Sequence, residues 1–468
     1  MRSLGRHVHF IGICGTAMAT LAAMLKVRGL GVQGSDHGMY PPMSEFLAAE
    51  GIRTFDAYRA DQITDDIDLV VVGNAISRGN VELEAVLDRR IRYVSLPEAV
   101  RDYFLWDARS IVVAGTHGKT TTASIVAWLL ASANRDPSAL IGGIAANFGR
   151  GYRLGAGPEF VIEGDEYDSA YFDKTAKFLK YRPDIAVVGN LEYDHADIYP
   201  DMESLRTAFR RFVNLVPQRG LVVIGADSPE AVRLRAASPA PVETVGLAGG
   251  ADWQAVDMEQ GGGRTLFAVT HRGLSHGRFE MALMGEHNVR NALAALAVGH
   301  AIGLSDGELR TGLASFEGVR RRLELRGRVR GVTVYDDFAH HPTAILETIR
   351  ALRASAPGHR VWAIFEPRSA TSCRRVFQTD FARAFAESGA DEIVLAPVFR
   401  LSLPEAERLS VEELIGDLTA VGRHARAPGD PADIVRLVAA EAREGDLVLV
   451  MSNGGFGGIH DQLLAGLA

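Results

Sequence analysis

The chain has 468 residues, of which 47% are apolar and 23% charged, with a formal net charge of −8. That balance fits a globular protein of about three domains, and its acidity excludes a general electrostatic role on nucleic acid. No apolar run approaches the roughly 18 residues of a membrane span, and the only cysteines, Cys14 and Cys373, indicate a reducing compartment rather than a disulfide framework.

The first residues run into a strand over 8–13 with no cleavable apolar region, so a cytoplasmic protein is expected. The turn Gly12-Ile13-Cys14-Gly15-Thr16-Ala17-Met18 comes next, then a helix over 17–28 and the tail of a second strand over 31–34, which ends at Ser35-Asp36. This context is Rossmann-like. The spacing G-x-x-G-x-x-M lacks the third small residue of the dinucleotide fingerprint. A dinucleotide or another diphosphate, such as a nucleotide sugar, would use the same backbone amides and helix N-terminus. Cys14 fits the turn as a small residue. A continuous apolar strand over 69–73, of the kind buried on both faces, ends at Gly73-Asn74-Ala75-Ile76-Ser77. Ligands of open α/β sheets gather at such strand ends. A helix over 82–90 and a strand over 93–95 bring the chain to a boundary near residue 107.

The most informative stretch comes after this boundary. Apolar residues 111–114 form a buried strand, and Gly115-Thr116-His117-Gly118-Lys119-Thr120-Thr121 forms a tight turn into an apolar helix over 123–133. Small residues let backbone N–H groups face an anion, the lysine reaches the β/γ-phosphates, and the first threonine can hold Mg²⁺. The G-x-x-G-K-T spacing is shorter than the usual P-loop but keeps its order of parts, so a nucleoside triphosphate is the expected ligand. Past a strand over 160–162 lie Glu163, Asp165, Glu166 and Asp168, acids suited to a divalent cation. Past a strand over 185–188 lies Gly189-Asn190-Leu191-Glu192-Tyr193-Asp194-His195, with His195 as a metal ligand or orienting group. A helix over 202–213 and a strand over 221–224 continue the alternation. Residues 239–263 are rich in Pro, Gly and Ala and are expected to form loops and short hairpins. Helices over 288–302 and 306–315 close the segment.

A third segment begins near Gly318, with strands over 331–335, 360–365, 392–395 and 446–451. The alternation of strands and helices throughout implies α/β domains with parallel sheets. His287, Asn288 and Asn291 open a helix, Arg322 lies just past the boundary, and Tyr335-Asp336-Asp337 through Pro342 joins a strand to a helix. Together they suggest a third domain closing on the nucleotide, with an arginine offsetting phosphate charge and an aspartate taking ribose hydroxyls.

The P-loop, the acid cluster, Asp194-His195, His287-Asn288 with Asn291, and Asp336 to Pro342 resemble, in order and over essentially the whole chain, the ATP-dependent Mur ligases of peptidoglycan synthesis. Gly12–Met18, Glu163–Lys174 with Lys177-Phe178, Arg322–Gly327, Glu366–Ser369 and Ser452–His460 look more like the branch that attaches a preformed peptide in murein recycling than the branch that adds L-alanine.

The resemblance implies three domains: a UDP-sugar-binding Rossmann-like domain over 1–107, a central P-loop ATPase-like domain over 108–317 and a Rossmann-like domain over 318–468. It implies Mg²⁺ and ATP, with UDP-N-acetylmuramate and L-alanyl-γ-D-glutamyl-meso-diaminopimelate as substrates. ATP would phosphorylate the lactyl carboxylate, and the peptide amine would displace phosphate. By position, Lys119 and Arg322 would act on the phosphates, Thr120, Glu163 and His195 would hold the metal (with Glu166 the alternative to Glu163), and Asp337 would take the ribose. Gly115, Thr116, His117, Gly118, Thr121, His287, Asn288 and Asn291 would border ATP, while Gly15, Thr16, Ala17, Met18, Asp36, Asn74, Ala75, Ile76 and Ser77 would hold the UDP-sugar. Arg368, Ser452, Asn453 and His460 are placed at the peptide by their positions near strand ends. Several family members bind a second Mg²⁺ with a carbamylated lysine, but the comparable stretch here, Phe209-Arg210-Arg211-Phe212, has none. A dinucleotide-dependent dehydrogenase built on the first turn and a non-catalytic nucleotide switch are the readings from other classes.

Overall fold

The computed structural model describes residues 6–39, 41–399 and 402–468. It contains three main sheets, one for each expected domain. The first has five parallel strands in the order Arg53–Phe55, Gly31–Ser35, His7–Ile11, Leu69–Val72 and Tyr93–Ser95. Strand order reverses at His7–Ile11, so the turn at Gly12 sits at the switch point where such sheets take ligands. Helix Thr16–Val27 buries every residue from Met18 to Leu25, and its alanines let it lie close to the sheet.

The second sheet has ten strands, and Arg109–Ala114 lies inside it between Ile185–Val188 and Glu159–Gly164, parallel to both. The three strands are buried almost throughout, as their unbroken apolar runs require. Their C-terminal ends therefore present the P-loop, the acids and the His195 loop along one edge. Strand Glu159–Gly164 runs further than expected, so Glu163 lies within it rather than past it.

Of the loops and short hairpins expected over 239–263, a hairpin is present but longer than expected, and strands take up most of the stretch. These are Val242–Gly246 and Trp253–Gly261, and the second begins an antiparallel extension with Arg264–His271 and Leu274–Met281. Burial alternates along Arg264–His271, the period of a half-buried strand. Gly262 and Gly263, at φ +60° and +77°, make the reversal. The glycines that suggested loops are the turn between two strands.

The third sheet orders Glu324–Val329, Val332–Asp337, Leu447–Met451, Val361–Phe365, Glu392–Leu395 and Ala425–Arg426, antiparallel only at Glu324–Val329. Among the described residues, no helix is long and apolar enough to cross a membrane.

Gly225 links packing to the site. A Cβ there would lie 1.8 Å from the backbone oxygen of Gly189, and the next residue, Asn190, accepts the His117 backbone N–H at 2.8 Å. Gly225→Ala must push two strand ends apart. We expect a loss of about 3 kcal/mol in urea unfolding, with weaker ATP binding because the P-loop loses its support.

Candidate active site

The P-loop takes its shape from two glycines and its position from the neighbouring strand end. Gly115 and Gly118 have φ +129° and +79°, and a Cβ on Gly118 would lie 2.3 Å from Asn291 Oδ1. Helix Lys119–Ser132 starts directly after Gly118, earlier than its apolar pattern suggests. Thr116 Oγ1 donates to the Glu192 carbonyl at 3.1 Å and accepts the Glu192 N–H at 2.9 Å. Thr122 Oγ1 donates to Asn291 Oδ1 at 3.1 Å, and Asn291 Nδ2 donates to Asn288 Oδ1 at 3.2 Å. Asn288 and Asn291 thus brace the loop from helix Glu286–Ile302, while Thr121 is buried in the first turn.

Lys119 Nζ donates to both oxygens of Glu166, at 3.0 and 2.9 Å, and to the Gly115 carbonyl at 2.7 Å. His195 Nε2 lies 3.1 Å from Glu166 Oε1. Thr120 Oγ1 donates to Glu163 Oε2 at 3.0 Å, and the Gly142 N–H donates to Glu163 Oε1 at 2.5 Å. The structure therefore gathers Lys119, Thr120, Glu163 and His195 as expected, and it brings Glu166 in beside Glu163 rather than selecting one of them. His195 holds a left-handed φ of +53°, an uncommon backbone state that recurs at functional sites. Its N–H donates to Asp194 at 2.6 Å, and Thr371 of the third domain donates to the same carboxylate.

Burial drives the electrostatics. It pushes Glu163 up to about 7, helped by the charge of Asp165 and opposed by the Gly142 N–H and the Thr120 hydroxyl. Burial would also raise Glu166, but Lys119 and His195 outweigh it and hold the carboxyl below its usual range. Burial pulls Lys119 down, and Glu166, Asp165 and Glu163 more than offset it, so the ammonium is stabilised. For His195 the opposing effect of Glu166 and Asp194 also exceeds that of burial, and its pKa is raised. This is a lysine held on a carboxylate beside a second carboxylate that stays partly protonated near neutral pH.

On the third-domain side, His287 is pushed down to about 4 by burial and by the charges of Arg290, Arg322 and His117. Arg322 of the third domain and His117 of the P-loop thus both lie within electrostatic reach of His287. Each oxygen of Asp337 accepts one backbone N–H, from Leu323 at 2.7 Å and Ala339 at 2.8 Å, and keeps a further acceptor site. It fixes the Arg321–Leu323 turn, whose flanking residues have φ +59° and +49°. Glu192 and His341 lie in motifs visible in the sequence, but the motifs give them no role. His117 Nε2 lies 3.2 Å from Glu192 Oε2, Thr343 Oγ1 donates to the same oxygen at 2.6 Å, and the His117 and His341 rings sit 4.6 Å apart. These contacts join the P-loop to the third domain, and repeated strand-end polar residues are their only signal in the sequence.

In the first domain, Ile11 lies opposite Val72 in the register, so the Gly12 and Gly73 turns share one edge. Gly15, Thr16, Ala17, Asn74, Ala75 and Ser77 are exposed there. The side chains of Met18 and Ile76 are buried beneath the turns, with Ile76 3.4 Å from where a Cβ on Gly12 would sit. Asp36 shapes the turn, accepting from the Cys14 N–H at 2.7 Å, the His37 N–H at 2.8 Å and the Tyr58 hydroxyl at 2.9 Å. Asn74 Nδ2 donates to Asp168 Oδ1 at 3.2 Å, joining this domain to the acid segment of the second.

At the third sheet, Glu366 connects two of the four residues placed at the peptide. Ser452 Oγ donates to it at 2.5 Å and Arg368 lies 3.5 Å from it. Asn453 has a buried side-chain oxygen without a hydrogen-bond partner among the described residues. His460 stands 3.3 Å from Asp336, which also pairs with Arg326 and with Arg321, and Arg321 donates to the Ser452 and Gly454 carbonyls.

Family models agree with this architecture. The Mur ligase family catalytic domain matches residues 7–104, the Mur ligase middle domain 113–299, and the Mur ligase glutamate ligase domain 321–454. The chain belongs to the Mur ligase family, and it is an ATP-dependent ligase that forms a C–N bond. It is 41% identical over 463 residues, 98% of each chain, to the UDP-N-acetylmuramate–L-alanyl-γ-D-glutamyl-meso-2,6-diaminoheptandioate ligase of Escherichia coli K12. It is 38% identical over 455 residues, 96% of this chain and 94% of the other, to the UDP-N-acetylmuramate–L-alanine ligase of Methylorubrum extorquens PA1. The crystal structure of a murein peptide ligase from Psychrobacter arcticus 273-4 superposes with a TM-score of 0.72, at 35% identity and 99% of both chains.

Proposed function

We propose that this ligase joins the tripeptide L-alanyl-γ-D-glutamyl-meso-diaminopimelate to UDP-N-acetylmuramate through an acyl phosphate, in the cytoplasm, as a step of murein recycling. The reaction type is carried by the cluster of Lys119 on Glu166, Thr120 on Glu163, and His195 at the mouth of the P-loop. The choice of peptide is supported by the 41% identity to the tripeptide ligase over the whole chain.

A carboxylate acylates an amine only after its oxygen becomes a leaving group. Two anions must first approach, so the site has to neutralise charge. The donor set of Thr120, Glu163, Glu166 and His195 fits Mg²⁺, being rich in hard oxygen and holding two buried carboxylates, of which only Glu166 is paired with the lysine. These residues would hold the ion, which when bound neutralises charge between the γ-phosphate and the substrate carboxylate. Lys119 leaves Glu166 to bind the transferring phosphoryl group, and the loop amides of Gly115–Thr120 bind its oxygens. Arg322 approaches from the third domain toward His287 of the middle domain, closing the cleft so that water does not hydrolyse the acyl phosphate. The Gly12–Met18 and Asn74–Ser77 turns hold the UDP-sugar. Arg368, Ser452, Asn453 and His460 face the peptide. Helix Met202–Asn214 carries Arg210 and Arg211 and no lysine, so a carbamylated lysine there does not build a second metal site.

The test is phosphate release from ATP, with UDP-N-acetylmuramate and either the tripeptide or free L-alanine, run in parallel. Release with the tripeptide alone is expected. Turnover with L-alanine and none with the tripeptide would assign the chain to the alanine-adding reaction.

A further inference from the structure

The antiparallel edge of the middle sheet gathers three histidines away from the P-loop. His271 ends strand Arg264–His271, His276 lies in strand Leu274–Met281, and His300 lies in the last turn of helix Glu286–Ile302. Four strands separate Arg264–His271 from the P-loop strand in the sheet order, a displacement of about 24 Å at the usual spacing of about 4.8 Å.

One ligand nitrogen from each imidazole lies within 4.8 Å of the other two. The ring centroids stand 5.4 to 5.9 Å apart and the planes cross at 51°, 70° and 87°. None of these pairs is stacked, and the rings are turned so that their edges converge. Trp253 stacks on His271 at 4.2 Å with an 11° tilt and supports that ring.

The polar surroundings point to a cation. Asp306 Oδ1 lies 2.8 Å from His276 Nδ1. A carboxylate there takes the Nδ1 proton and leaves Nε2 as a lone-pair donor, the arrangement that orients metal-bound histidines. His271 Nε2 is buried and has no hydrogen-bond partner among the described residues. It stands 3.4 Å from Glu243 Oε1, while Glu243 Oε2 is taken by the Trp253 indole N–H at 2.7 Å. A buried ring nitrogen left without a partner costs free energy, and a bound cation removes that cost. The nearby charge of Arg272 is already met by Asp252 and Glu243. His300 sits at the negative end of its helix dipole, which favours a cation, and it is exposed, so an ion can enter from solvent.

We propose that His271, His276 and His300 bind one divalent transition-metal ion of the zinc class. Three imidazoles suit Zn²⁺, Co²⁺ or Ni²⁺ and are poor ligands for Mg²⁺. The ion would tie the edge hairpin to the end of helix Glu286–Ile302, and so steady from behind the helix whose first turns brace the P-loop. It is distinct from the Mg²⁺ of the ligation reaction, and its test does not depend on the substrate assignment.

The full-length protein is stripped with a chelator and titrated with Co²⁺ and with Zn²⁺, monitoring the visible bands of cobalt and the heat of zinc binding. His117→Ala serves as the control, because His117, Glu192 and His341 form the other cluster with ligand spacing among the described residues. One equivalent should bind to the wild type and to His117→Ala, and about 100-fold more weakly or not at all to His276→Gln and His300→Gln. Both Gln variants should keep ATP-dependent ligation, since neither residue touches the active site. Unchanged affinity in both Gln variants, loss of binding in His117→Ala alone, or no binding by the wild type would each overturn the assignment and leave the histidines as an aromatic cluster packed around Trp253.

Discussion

Lys119→Met should lower ligation by about 10³-fold or more, the scale of removing a charged group that stabilises a transition state. The same change should cost about 3–5 kcal/mol of stability, because it leaves Glu166 buried at 2% exposure without its ion pair. The two effects separate in a double variant. Lys119→Met with Glu166→Gln removes both charges, so stability should recover while activity stays lost. The pH dependence has a definite sign. Glu166 is held below its usual range by Lys119 and His195 despite burial, so its share of stability is present above about pH 4.5 and disappears on acidification. Lys119 is raised by Glu166 and its neighbours against burial, so its share persists at neutral pH and is lost only in strong alkali. Lys119→Met should therefore show its largest deficit at neutral to mildly alkaline pH and approach the wild type in acid. Urea unfolding across pH, with single-turnover phosphate release, checks both parts. Ligation within tenfold of the wild type would remove Lys119 from the phosphoryl transfer.

Much of this site could be read in the sequence because its parts lie at the ends of continuous apolar strands. Residues 111–114, 160–162 and 185–188 announce buried parallel strands, and the residues just past each strand must lie along one sheet edge. The pairing of Lys119 with Glu166 could not be read, because the partners are separated by 47 positions and the choice between two acids depends on where strand Glu159–Gly164 ends. Glu163 falls inside the strand and faces Thr120, while Glu166 falls past it and meets Lys119. The contact of Asp194 with Thr371 spans 177 positions and two domains, which no local pattern encodes. Asp36 shows the opposite case. Its place at a strand end marks it as a ligand contact, and the structure adds a role that the pattern does not carry: the carboxylate accepts the Cys14 and His37 amides and the Tyr58 hydroxyl. Asp337 is likewise engaged, by the Leu323 and Ala339 amides. In both, the acid first builds the turn. The length of the middle-sheet hairpin was not legible, because a glycine cluster marks a hairpin turn as readily as a loop, and only the alternation on either side separates the two.

Glu163→Gln should stabilise the magnesium-free protein while destroying its function, a combination that a merely structural carboxylate would not give. Burial, with the charge of Asp165, raises this carboxyl to about 7 in the folded state, against about 4.3 in an unfolded chain. A raised acid contributes fully to stability while protonated in both states, and that contribution is lost as pH climbs from the unfolded to the folded value. Well above pH 7 the wild type therefore carries the whole cost of a buried charge, on the order of 4 kcal/mol. Glutamine keeps the shape and can still meet the Gly142 N–H and the Thr120 hydroxyl, without that charge. In chelator, Glu163→Gln should exceed the wild type by that order near pH 8 and match it near pH 4.5. Adding Mg²⁺ with a non-hydrolysable ATP analogue should reverse the order near pH 8, because the wild-type carboxylate then gains a cation and the amide does not. Ligation should fall at least about 10²-fold. A stability difference that does not change with pH would show that Glu163 is ionised throughout, and its role as the group waiting for a cation would fall with it.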